Sequence, residues 1–153
     1  MSEKRTELNN ALKSALKAKD QVALSTTRLI NAAIKDRDIA ARAKGETDGI
    51  SDDEILSLLQ SMVKQRKDSS RVYRDGGREE LAVREEEEIK IIQNFLPAQL
   101  SDEEVTEIIR SIIDDIGAKD IKDMGKVMGV LKGKYAGQID MGKASGLVKT
   151  VLN

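Results

Sequence analysis

Asn94-Phe95-Leu96-Pro97-Ala98-Gln99-Leu100-Ser101-Asp102-Glu103-Glu104 contains the only proline of a 153-residue chain. Inside a helix proline removes a backbone hydrogen bond and clashes with the preceding turn, so a helix that reaches Leu96 must stop there. Ser101 with Glu104 is a capping box, which opens a new helix. The boundary therefore falls at residues 97–100, read as a hinge between a unit over 1–96 and a smaller one over 101–153.

Outward from that boundary the apolar residues recur with helical period. Upstream, Leu8, Leu12 and Ala15 share one face of a first helix that ends near residues 17–19. Asp20 is the N-cap of a second helix with Ala23, Thr27, Ile30, Ile34 and Ala41 inward, stopped at Gly45. Ser51 and Glu54 form another capping box and open a third helix carrying Ile55, Leu59 and Met62. Gly76-Gly77 separates it from a fourth, with Leu81, Ile89, Ile92 and Leu96. Downstream, Val105, Ile108, Ile109, Ile112 and Ile116 define one helix. Met124, Val127, Met128 and Leu131 define the next, and Leu147, Val148 and Val151 the last. The fold class is all-α: an N-terminal helical bundle of about four helices, then a small three-helix domain.

Composition agrees, since aromatics are 2% and charged residues 35% of the chain. Absence of cysteine removes disulfides and thiolate chemistry, and absence of histidine removes the commonest general base and metal ligand. No catalytic residue, cofactor, metal or small-molecule substrate is inferred. Ser14-x-x-Lys17 and Ser61-x-x-Lys64 match a serine–lysine hydrolase pattern, but a chain this rich in both residues supplies such matches by chance. The longest apolar run is three residues, such as Leu81-Ala82-Val83, so no membrane span is expected. The N-terminus lacks the apolar core of a signal peptide, and a soluble, cytoplasmic protein is expected.

Charge is balanced overall at −1, so electrostatic function must be local. Residues 101–118 hold six acids and one base, whereas residues 119–153 hold seven lysines and three acids. Glycines at 125, 129, 133, 137, 142 and 146 accompany the basic half and allow close backbone approach. Lysine with glycine near helix starts suits phosphate, to which helix N-termini add positive potential. The plainer reading is helix packing with ordinary surface lysines. Lys64, Lys67, Arg71, Arg74 and Arg78, at steps of three and four, form a second cationic stripe on the third helix. With only Tyr73, Phe95 and Tyr135 as aromatics, base stacking is disfavoured, and an RNA would be recognised by shape and phosphate. Glu85 and Glu88 fall on the inward face of the fourth helix, and Arg37 and Arg66 on the apolar faces of the second and third. Buried charges need partners, so a structural ion pair between Arg66 and Glu85 or Glu88 is expected rather than acid–base or Mg²⁺ chemistry.

Several stretches resemble the GatB/YqeY family: residues 27–35, Thr27-Arg28-Leu29-Ile30-Asn31-Ala32-Ala33-Ile34-Lys35, and Lys64-Gln65-Arg66-Lys67-Asp68-Ser69 with Tyr73 and Gly77-Arg78. Residues 94–101, Lys122-Asp123-Met124-Gly125-Lys126-Val127-Met128 and Leu147-Val148-Lys149 extend the match over almost the whole chain. The resemblance is to a free-standing YqeY-like protein. It implies a helical bundle followed by a three-helix domain related to the tail of the B subunit of glutamine-dependent tRNA amidotransferases, where the module contacts tRNA away from the chemistry. The family label, carbon–nitrogen ligase with glutamine as amido-N-donor, belongs to a catalytic part that has no counterpart here. The function expected is a non-catalytic module that binds tRNA or associates with an amidotransferase or synthetase, through Lys126, Lys132, Lys134 and Lys143, with Lys64, Lys67 and Arg71 as a secondary patch. The alternative is a protein-interaction adaptor with no RNA binding.

Overall fold

A computed structural model describes residues 2–153. The described residues form seven α-helices and one short 3-10 turn, in two compact units, the first ending at Leu96 and the second spanning Pro97–Asn153.

The first unit contains α1 (Glu3–Ala18), α2 (Gln21–Ala43), α3 (Asp52–Asp75) and α4 (Glu79–Gln93). Side-chain oxygens start three of them. Ser2 accepts from Arg5 N–H, Asp20 from Ala23 N–H and Ser51 from Glu54 N–H, each satisfying a donor that the first turn leaves unpaired. α1 turns into α2 through Lys19, held in the left-handed region at φ 57°. Gly77, at φ 75°, reverses the chain between α3 and α4. Contacts Arg66–Glu88, Ser70–Glu86 and Arg74–Glu79 run in opposite chain directions, so α3 and α4 are an antiparallel hairpin. Leu8, Ile30, Ile55, Leu59 and Ile92 are fully buried at the centre of the unit's core. Burying each such side chain contributes about 1.5–3 kcal/mol.

α4 ends at Gln93, earlier than the sequence pattern suggests, and Phe95 rather than Leu96 is the buried residue beyond it. A residue before proline is driven out of helical backbone, which keeps Leu96 outside α4. On α2 the apolar face admits Asp38, not Arg37: Arg37 is exposed, and Asp38 is held inward by its partners.

The second unit holds α5 (Asp102–Ile116), α6 (Met124–Lys134) and α7 (Met141–Leu152), with the 3-10 turn Ile121–Asp123 leading into α6. Ser101 and Glu104 make the complete reciprocal capping box at the start of α5. Gly117 ends it at φ 69°, and Ile116, expected inward, is 41% exposed on this last turn. Val105, Ile109, Val127, Leu131, Ala144 and Val148 make the core. Of the segment 97–100, Gln99 and Leu100 are fastened inside this unit: Gln99 Nε2 donates to Gly137 O at 2.6 Å and Leu100 N to Gln138 O at 3.0 Å.

Candidate nucleic-acid interface

Lys126, Lys132 and Lys134 on α6 and Lys143 on α7 are all exposed. Core-facing Val127 and Leu131 on α6, and Ala144 and Val148 on α7, fix which sides of the helices meet solvent. Lys126 lies 3.9 Å from Asp123, which is mainly occupied elsewhere: its carboxylate accepts from Lys119 N–H at 2.9 Å. That hydrogen bond first, and the Lys126 charge after it, hold Asp123 below its ordinary pKa. Lys132, Lys134 and Lys143 have no carboxylate within salt-bridge distance among the described residues.

The glycines divide into two groups. A Cβ placed on Gly125, Gly129, Gly133 or Gly146 would meet no atom within 4 Å, so backbone is open to approach there. Gly137 differs: it is buried at φ 80°, and its carbonyl accepts from Gln99, a structural role. The helix-start contribution expected from sequence is also reduced at α7. Asp140 accepts from Gly142 N–H at 2.9 Å and Lys143 N–H at 3.4 Å, placing a negative charge over the donors a phosphate would use.

The α3 stripe shortens from five cations to three. Arg74 is engaged by Glu79, at 2.9 Å, and by Glu86, and it holds both carboxyls below their ordinary range. Arg78 lies beyond α3, immediately before α4, and donates to Glu80 at 3.0 Å. Lys64, Lys67 and Arg71 remain on the exposed side, Arg71 with only a loose 3.7 Å approach to Asp68.

Arg66 and Glu88 meet inside the α3–α4 hairpin. Arg66 Nε donates to Glu88 Oε2 at 2.8 Å, with side chains 14% and 13% exposed, and Arg66 Nη1 donates to Met62 O at 3.2 Å. Glu85 is not hydrogen-bonded to Arg66. Burial, reinforced by the Glu88 charge, holds its carboxyl above the ordinary value.

Sequence reasoning missed the other cross-helix pair. Arg5 donates from both terminal nitrogens to Asp38, each at 2.8 Å, and also to Ile50 O at 3.0 Å, while Ile50 N–H donates to Asp38 at 2.9 Å. The Arg5 hydrogen bond lowers the Asp38 pKa to about 2. Arg5 three residues before Leu8, and Asp38 four after Ile34, was the available signal. The adjoining groove of about 290 Å³ is also lined by Asn9, Asn31 and Lys35 and carries both signs of charge, so it is a poorer phosphate site than α6 and α7.

A family model described as "Yqey-like protein" matches residues 5–152. Similar curated proteins carry the name "Altered inheritance of mitochondria protein 41, mitochondrial". The one from Clavispora lusitaniae is 34% identical over 111 residues, 71% of this chain and 62% of the relative. That from Vanderwaltozyma polyspora is 30% identical over 115 residues, 74% and 60% of the two chains. That from Pyrenophora tritici-repentis is 27% identical over 129 residues, 80% and 68%. The chain thus spans about three fifths of the length of the first two relatives. Their names overturn the cytoplasmic placement. The expectation rested on a missing apolar signal core, but mitochondrial targeting segments are amphipathic and arginine-rich, so that criterion does not address them. No helix among the described residues is long and apolar enough to cross a membrane.

Proposed function

This chain belongs to the YqeY-like family, and on that premise we propose that it is a non-catalytic tRNA-binding module, docking through the α6–α7 half of its second unit. One observation carries the reading: residues 119–153 hold seven lysines against three acids, and Lys132 and Lys143 stand exposed there with no carboxylate within salt-bridge distance among the described residues. Exposed lysines beside open glycine backbone suit a phosphate backbone, and the scarcity of aromatic side chains favours a folded RNA recognised by shape. Lys64, Lys67 and Arg71 form the secondary patch. Association with a tRNA amidotransferase or synthetase is the setting that the resemblance to the amidotransferase B-subunit tail supports.

Titration of the full chain with folded tRNA across a salt series tests this. Four phosphate contacts give a log–log slope of about −3 to −4. Alanine at Lys126, Lys132 and Lys143 together should remove most of it with the fold intact. Wild type that binds no tRNA at low salt, but co-purifies with a protein, would replace the reading with an adaptor.

A further inference from the structure

The second unit contains one motif twice. Residues 123–132, Asp-Met-Gly-Lys-Val-Met-Gly-Val-Leu-Lys, recur as residues 140–149, Asp-Met-Gly-Lys-Ala-Ser-Gly-Leu-Val-Lys. The two copies share one burial pattern position by position, and they differ at the first residue, where Asp123 closes the 3-10 turn and Asp140 caps α7. Val127 and its counterpart Ala144 are buried, as are Leu131 and Val148, while Lys126 with Lys143 and Lys132 with Lys149 are exposed. In each copy the two lysines stand about 120° apart around the helix, with both glycines between them on the solvent side. Lys149, like Lys132 and Lys143, has no carboxylate within salt-bridge distance among the described residues. Lys134, by contrast, aligns with Val151 and has no lysine counterpart.

We infer that α6 and α7 are two equivalent contact units for one regularly charged backbone, each contributing a lysine pair. Lys149 then belongs to the interface as the counterpart of Lys132, and Lys134 lies outside it. The inference rests on the tRNA reading above. Two copies of one contact fit a ligand that repeats one charged group at fixed intervals, as a phosphodiester backbone does and the acidic surface of a folded protein does not. At α7 the contact uses side chains rather than the helix start, since Asp140 occupies its first donors.

The experiment is a titration of the full chain with folded tRNA over a salt series, for wild type, K126A/K132A, K143A/K149A and K134A, with circular dichroism verifying the fold. Each double variant should flatten the log–log slope by roughly 1.4–1.8 units, two contacts' worth, and K134A should leave it unchanged. Lys→Arg at the same four positions should retain the wild-type slope. Wild type that binds tRNA while K143A/K149A keeps its slope, or while K134A flattens it, overturns the inference and leaves the tRNA reading standing. A polyglutamate chain that displaces the tRNA as well as unlabelled tRNA does would overturn the phosphodiester assignment. Wild type with no tRNA affinity at low salt retires both.

Discussion

The two units of this chain use charge differently. Among the described residues, only the first has ion pairs that are both half-buried and far apart in sequence, Arg5 with Asp38 and Arg66 with Glu88, side chains no more than 23% exposed; its other pairs are exposed or local, such as Lys4 with Glu7 and Arg78 with Glu80. In the second, the ion pairs are local, Arg110 with Glu107 and Lys126 with Asp123, and the remaining lysines of α6 and α7 stand free. Low local dielectric makes the first kind structural, because a buried charge that loses its partner is heavily penalised. Water and salt weaken the second kind, leaving those cations available to an outside anion. The difference separates residues that hold the bundle from residues that can recognise something.

The contrast breaks most visibly at Arg66. Arg66→Met leaves Glu88 buried and unpaired and should cost about 3–5 kcal/mol in urea unfolding. Arg66→Met with Glu88→Leu should recover much of that loss, because no charge remains unpaired. An unchanged midpoint for the single variant would mean that the pair contributes nothing.

Asp38 comes next. Its folded pKa of about 2 lies below the ordinary 3.8, so its contribution is complete above the ordinary value and is lost as pH falls from about 4 to about 2. That difference corresponds to about 2 kcal/mol at neutral pH. Melts of Asp38→Asn should show less acid sensitivity in this window than wild type. Gly49→Ala should weaken the same corner, since at φ 84° its Cβ would lie 2.7 Å from Asp38 Oδ1.

Glu85 should respond in the opposite sense. Its pKa is raised in the fold, so its contribution is present below the ordinary carboxylate value and is lost as pH rises through the shifted one. Glu85→Gln should therefore melt higher than wild type at pH 7, with the gain vanishing in acid. Smallest of all, Arg78→Ala should leave the melting midpoint unmoved, because its pair with Glu80 is largely exposed.

Local chemistry was readable in advance because its partners lie within a few residues. Asp20, Ser51 and Ser101 cap helices as their spacing requires, and Pro97 lies between the last helix of one unit and the first of the next. Partners brought together by packing were harder to read. Helical phase placed Arg66 and Glu88 inward, but Arg37 and Asp38 are neighbours near one edge of the apolar stripe. Only Arg5 and Ile50, from elsewhere in the chain, decide that Asp38 turns in. The α3 stripe was overcounted for the same reason, since Glu79 and Glu86, which engage Arg74, belong to the next helix. Lys126, Lys132, Lys134 and Lys143 were easier to place, because the apolar positions around them dictate which side meets water.

The most direct test of the central claim compares tRNA binding by wild type and K126A/K132A/K143A across a salt series. The slope expected is about −3 to −4 for wild type and about −1 for the variant, with equal melting temperatures. A variant that binds tRNA with wild-type affinity and slope would contradict the account.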